Sequence, residues 1–284
     1  MRAASAQIAA GAASVTIDLD AVAGIEPAPP PALDPLRHYL EGSPAEVAAY
    51  FLTLDTVNFG SGWFPTLRKR SGSSGYFTVA WALADRFRAH GPWTPAQLRS
   101  LRTDEIAATL GQPRDHELMA LYAQALRALG RFLGERDALA VARGARGSAQ
   151  ALAAELASSM ALFADRGFYK RAQIVPANLA LAGVARFKDL HTLTIFADNL
   201  VPHVLRCDGV LRYDPHLAAH IDSGRLLPAG RQEREIRACA VHACQLIAAR
   251  TGASEHELDN WLWSRGQAPE YKAIPRHRTR TVYY

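Results

Sequence analysis

The sequence predicts a mostly α-helical fold, on three observations. Helix-start signatures recur, apolar residues repeat at helical spacing over long stretches, and strand signals are sparse. Ser43-Pro44-Ala45-Glu46 reads as a capping box with proline at the first helical position. It opens a helix that puts Val47, Tyr50, Phe51 and Leu54 on one face. Thr94-Pro95-Ala96-Gln97 repeats the device, and Ser254-Glu255-His256-Glu257 is a third case. Asp115 is placed to cap a longer helix carrying Leu118, Leu121, Tyr122, Ala125, Leu129 and Phe132. Residues 148–165 are rich in alanine and leucine, both strong helix formers. Strand patterning is confined to Ser14–Leu19, which alternates polar and apolar. Gly75–Val79 reads equally as a short strand or a helix start.

Composition sets the outer limits. The chain has 284 residues, 49% of them hydrophobic and 21% charged, which excludes a disordered chain. Lys plus Arg is 32 against 27 Asp plus Glu, a net charge of +5. That permits a phosphate-bearing partner but is far from the basic stripe of a protein that tracks duplex nucleic acid. The expected organisation is a single helical body over residues 1–284, with an N-terminal segment of about 1–35 packing on it. Pro27-Ala28-Pro29-Pro30-Pro31 is a stiff extended connector, read as a surface crossing. The three cysteines include no C-x-x-C pair, so neither a disulfide framework nor a structural zinc site is expected. No apolar run reaches the ~18 residues of a membrane span, and Asp18 and Asp20 interrupt the apolar start. A soluble cytoplasmic protein is the expectation.

Familiar cofactor signatures are missing. There is no G-x-G-x-x-G, no P-loop, no H-E-x-x-H and no G-x-S-x-G. His216 and His220 share a helical spacing but lack a third ligand, so no metal is expected. The basic run Arg68-Lys69-Arg70 leads into Ser71-Gly72-Ser73-Ser74-Gly75, which reads as a mobile loop.

Four segments set polar residues among apolar and aromatic ones. In Leu54–Phe64, Asp55, Asn58 and Trp63 lie among glycines that let backbone approach a ligand; an ordinary glycine-closed helix end uses the same residues. In Phe168-Tyr169-Lys170-Arg171, Lys170 and Arg171 suit an anionic group, or a solvated basic turn. In Leu193–Pro202, Asp198 lies among Phe196, Leu200 and Val201, where a carboxylate needs a partner or a task, helix capping being the plain one. In Glu257–Trp263, Asp259 and Trp263 are four apart on one helix face. An indole that stacks beside a carboxylate that accepts N–H groups suits a nucleobase.

LDTVNFGSGWF, FYKRAQI, LTIFADNLVPHVLR, EIRACAVHACQLI, LDNWLW and the terminal HRTRTVYY occur in this order. Together they resemble the queuosine salvage proteins, the queuosine 5′-phosphate N-glycosylase/hydrolase family, from about Val15 to Tyr284. The resemblance implies a helical fold related to helix–hairpin–helix DNA glycosylases, with the active site in a cleft between helical lobes. It implies hydrolysis of queuosine 5′-phosphate to queuine and ribose 5-phosphate, with no metal or organic cofactor. Its Phe-x-Asp motif falls on Phe196, as the stacking residue, and on Asp198, as the catalytic one. Its pocket carboxylate falls on Asp259, with Trp263 following, and a pocket histidine would be His38. The implied partners are the nucleotide and queuine, without duplex nucleic acid or membrane.

The chemistry fits those residue types. Breaking a ribosyl bond builds positive charge on the sugar, which a carboxylate in a water-excluded site favours. Asp198 is the candidate, as electrostatic stabiliser, as base for the attacking water, or as nucleophile. Lys170 and Arg171 are the first candidates for the 5′-phosphate, with His203 and Arg237 behind them. Two other readings stand beside this one: a DNA-repair glycosylase, and a non-enzymatic protein that binds queuine or a modified nucleotide. The C-terminal Val282-Tyr283-Tyr284 is expected to pack back on the body, since its apolar surface gains by burial.

Overall fold

The computed structural model describes residues 1–284, and it is mostly helical, with one two-stranded sheet. No helix is long and apolar enough to cross a membrane. The chain gathers into two compact units. The first comprises Met1–Pro31, Arg166–Lys170 and His191–Thr281; the second comprises Ala32–Asp165, Arg171–Leu190 and Val282–Tyr284. The proline-rich connector ends where the second unit begins.

The first unit is built around helix Arg231–Thr251, which is buried on most of its circumference. Small residues make that possible: Ala238, Cys239, Ala240, Ala243 and Cys244 are fully buried and let neighbours approach closely. The helix ends at Gly252, whose φ of 76° is the left-handed C-cap geometry that glycine adopts without strain. Helix Arg2–Ala10 lies along it. The alternating segment near the N-terminus becomes strand Val15–Ile17, antiparallel to Leu211–Tyr213, with Val15 opposite Tyr213. Glu235 anchors the start of this strand by accepting the N–H groups of Ala13 at 3.1 Å and Ser14 at 2.8 Å. Asp18 then caps helix Leu19–Ala23.

Helices Val201–Cys207 and Glu255–Arg265 pack together against the central helix. Gly266 lies close to this contact: a Cβ there would lie 2.8 Å from Leu200 Cδ1, so the Leu200 and Val204 side chains would have to shift. Ser254 precedes the second of these helices, but its side chain does not accept from the helix backbone. Its hydroxyl donates instead to Glu257 Oε2, so the expected capping box is not closed.

The second unit holds helices Pro44–Thr56, Gly75–His90, Pro95–Ser100, Thr103–Thr109, Glu117–Leu133, Ala138–Gly144 and Ala149–Ser159. Both other capping boxes form, at Ser43/Glu46 and Thr94/Gln97. The Glu117–Leu133 helix is capped one residue later than expected: His116 Nδ1 accepts from Leu118 N–H at 3.3 Å. Gly75 starts a helix rather than a strand, because Ser74 accepts the Phe77 N–H at its N-terminus. Helix Pro95–Ser100 crosses the Glu117–Leu133 helix at Gly130, where a Cβ would meet Arg99 N at 2.7 Å. The core here is aromatic: Tyr50, Phe51, Phe59, Phe87, Tyr122 and Phe163 are fully buried. Of the C-terminal Val282-Tyr283-Tyr284, the last residue is buried and Tyr283 is exposed. Tyr284 is 2% exposed and its carbonyl accepts from Gly60 N–H at 2.9 Å.

Candidate active site

The first unit gathers Phe196, Asp198, Asp259, Trp263 and Lys170. Residues 193–200 form no regular secondary structure, so their backbone groups need other partners. Arg2 donates to the Leu193 carbonyl and the Thr194 hydroxyl to the Ile195 carbonyl, both at 3.0 Å. Three further side chains act from Phe196 onward. Asp259, on helix Glu255–Arg265, accepts the Phe196 N–H through Oδ1 at 2.8 Å. Arg237, on the central helix, donates from Nε to the Ala197 carbonyl at 2.9 Å. Asp198 itself accepts from Leu200 N–H at 2.7 Å and Val201 N–H at 3.2 Å, both through Oδ1. One residue on, Asn199 Nδ2 donates to the His277 carbonyl at 3.1 Å.

Asp198 is therefore held by one oxygen, at the start of helix Val201–Cys207, where its charge also meets the positive end of the helix dipole. Its Oδ2 takes no hydrogen bond from the protein. The side chain is 9% exposed, so this oxygen is a fixed acceptor at the edge of the buried region.

Asp259 lies deeper. Burial, and then the neighbouring Asp198 carboxylate, push its carboxyl up to about 8; the Phe196 N–H and Lys170 work against that rise. Asp259 thus holds a proton through much of the neutral range beside Asp198. This is the behaviour of two carboxyl groups that share a low-dielectric site. Lys170 is buried and close enough to Asp259 to favour its ionised form. Trp263 is half-buried, one helical turn after Asp259.

The supporting residues are themselves fixed. Arg237 is buried, lies 4.0 Å from the Phe168 ring centroid, and pairs with Glu233 at 3.3 Å. His203 Nε2 donates to the Tyr271 carbonyl at 2.8 Å. Burial and the charges of Arg237, His203 and Arg276 drive His277 down to about 3, so its ring is neutral at physiological pH.

His38, Asp55, Asn58, Trp63 and Arg171 belong to the second unit. Asp55 is fully buried, and Asn178 Nδ2 donates to both of its oxygens, at 2.9 Å and 3.1 Å. Half-buried Asn58 follows, its N–H donating to the Asp55 carbonyl at 3.4 Å. Trp63 Nε1 donates to Glu117 at 2.8 Å. His38 stacks on Phe51 at 6.1 Å and donates from Nδ1 to the Asp34 carbonyl, so Nε2 accepts from the Tyr76 hydroxyl at 3.2 Å. Burial lowers its pKa, which keeps the ring neutral.

Arg171 departs from the expectation of an open phosphate ligand. Its guanidinium lies between the Phe59 and Phe163 rings, 4.6 Å and 4.8 Å from their centroids. It donates to the carbonyls of Thr56 at 2.5 Å, Val282 at 2.6 Å and Leu162. Burial pushes its pKa down to about 9. The planar fork here ties three backbone segments of its unit together.

Residues 38–284 match the family model described as queuosine salvage protein. The chain belongs to the queuosine salvage protein family. A relative from Sphaerobacter thermophilus, called queuosine 5′-phosphate N-glycosylase/hydrolase, is 34% identical over 96% of this chain and 94% of its own length. One of the same name from Nematostella vectensis is 29% identical over 87% of this chain and 84% of its own. Another, from Dictyostelium discoideum, is 38% identical over 41% of this chain and 40% of its own length.

Among the supporting residues of this family member, Arg237 was visible in the sequence only as a distant cation. Asn178 carried no signal beyond being a polar residue in the apolar run Val175–Leu181. The role of Arg237 depends on where a remote helix meets an irregular segment, that of Asn178 on its meeting Asp55 near the end of helix Pro44–Thr56, and no local spacing encodes either.

The raised pKa of Asp259 has a consequence for stability. An unfolded aspartate loses its proton near pH 4, whereas the folded one keeps it until about 8. As pH rises through that window the unfolded chain binds fewer protons, so Asp259 progressively disfavours the folded state. Asp259→Asn keeps an acceptor for the Phe196 N–H and removes this titration. Its melting temperature relative to the native protein is expected to climb from about pH 4 to about 8 and then level off. A difference that stays flat across that range contradicts the assignment.

Proposed function

We propose that this chain hydrolyses the N-glycosidic bond of queuosine 5′-phosphate, releasing queuine and ribose 5-phosphate, with Asp198 as the catalytic residue. The reading rests foremost on the Sphaerobacter relative named for that hydrolysis, which is alike over nearly the whole length of both chains. The geometry of Asp198 supports the residue assignment. One oxygen is immobilised by two N–H groups and the other is left for the substrate.

As the glycosidic bond lengthens, the sugar takes up positive charge, and a fixed carboxylate stabilises it without reorganising. The same oxygen is able to accept a proton from the attacking water. Asp259 holds a proton near neutral pH, so its carboxyl has an O–H to donate as well as an oxygen that accepts. Queuine is a 7-deazapurine and offers no N7 for protonation, so its departing charge has to be met at other edge atoms. Asp259, with Phe196 and Trp263 as flat apolar surfaces, is our candidate for holding that base. Lys170 is the candidate for the 5′-phosphate, given the carbonyl partners of Arg171. His38, Asp55, Asn58 and Trp63 remain substrate-binding candidates on family resemblance. Kinship with helix–hairpin–helix DNA glycosylases belongs to this reading, since both reactions cleave a base from a sugar. So does a cytoplasmic enzyme that works on free nucleotide rather than on duplex nucleic acid.

Mass detection of free queuine after incubation with queuosine 5′-phosphate tests the function. Asp198→Asn is expected to lower kcat by about 100-fold or more while substrate binding is retained. Full activity in that variant removes Asp198 from the chemistry, and no product from the native protein removes the reaction. In the same assay Lys170→Met should raise KM for the phosphorylated substrate by about tenfold, with a smaller effect on the free nucleoside. Equal losses on both refute the phosphate role.

A further inference from the structure

The basic run Arg68-Lys69-Arg70 plays no part in the proposed catalysis, yet it lies on an open trough of about 660 Å³ within the second unit. Arg68, Lys69, Arg70 and Arg86 line it, against a single carboxylate, Asp85. That carboxylate is already shared: Arg70 reaches its Oδ2 at 2.7 Å and Arg88 its Oδ1 at 3.2 Å. Arg68 and Lys69 are exposed and take part in no ion pair. The trough therefore carries uncompensated positive charge on adjacent residues.

Its backbone is fixed although its side chains are solvated. Buried Gln112 accepts the Arg68 N–H and donates to the Arg68 carbonyl, both at 2.9 Å. Two residues on, Thr78 Oγ1 accepts the Arg70 N–H at 3.2 Å. The basic run that leads into the Ser71–Gly75 loop thus has its backbone pinned at both ends. Holding like charges side by side is costly without a counter-charge, and pinning them reduces the entropy lost when an anion binds.

We propose that this trough is a second anion site, separate from the Asp198 region, that takes a compact oligophosphate such as the phosphate tail of a nucleoside di- or triphosphate. The volume falls in the range of small-molecule sites. Arginine forks and a lysine ammonium together suit several phosphate oxygens at once. A nucleic-acid track fits less well. Arg70 already lies 3.6 Å from the Trp81 ring centroid and Arg86 4.6 Å from that of Trp93, so these indoles have cations where bases would stack.

Calorimetric titration of the full chain with tripolyphosphate, at about 50 mM salt, tests the site. Saturable one-to-one binding is expected, weakened by about tenfold or more in Arg68→Ala/Lys69→Ala. Arg225→Ala, an exposed cation of the other unit, should leave it unchanged. ATP titrated alongside separates the sources: tighter binding than tripolyphosphate identifies a nucleotide, and equal binding identifies the phosphate chain alone. Either result supports the site. No saturable binding overturns the proposal, as does equal weakening in Arg225→Ala. A single-stranded RNA whose affinity grows with length, and falls in the double variant, overturns it in favour of a nucleic-acid surface. The readout is binding, so it stands whatever the hydrolysis assay gives, and the double variant should hydrolyse queuosine 5′-phosphate at the native rate.

Discussion

The candidate active site depends on how an irregular stretch of backbone is held still. Residues 196–201 carry the key carboxylate, but they lie in or beside a segment without a ladder of their own. Asp259 takes the Phe196 N–H, Arg237 takes the Ala197 carbonyl, and Asp198 takes the Leu200 and Val201 N–H groups. Each buried polar group removed from this arrangement would leave its partner unsatisfied, at about 1–3 kcal/mol apiece. The arrangement also explains why a small-residue helix forms the centre of this unit. Alanines and cysteines let helix Arg231–Thr251 come close enough for Arg237 to reach across to Ala197.

Asp259 illustrates how one side chain serves structure and chemistry together. Its acceptor oxygen orders Phe196, while burial, and then the neighbouring Asp198 carboxylate, keep its own proton on to about pH 8. The second unit uses a comparable device with a cation. Arg171 gathers three carbonyls between two rings, and Asn178 satisfies both oxygens of buried Asp55. In both units the buried charged groups are set among aromatic or small apolar residues and tied to named partners.

Much of this was legible in the sequence, and for local reasons. Capping boxes at Ser43 and Thr94, and the apolar spacing from Leu118 to Leu129, are set within a few residues. The grouping of Phe196 and Asp198 with Asp259 came from family motifs. Arg171 shows where such reading ends. Adjacent cations in FYKRAQI suggest one shared anion, yet Lys170 belongs to one unit and Arg171 is buried in the other. The basic run before the Ser71–Gly75 loop shows the same limit: a glutamine more than forty residues away fixes its backbone.

The most direct test of the anchoring account is the steady-state hydrolysis of queuosine 5′-phosphate by Arg237→Met. This substitution keeps the packing volume and removes the donor to the Ala197 carbonyl. If that anchor positions Asp198, kcat falls by about 100-fold with KM changed little, in a protein that still melts cooperatively. A folded Arg237→Met enzyme with native kcat would contradict the account.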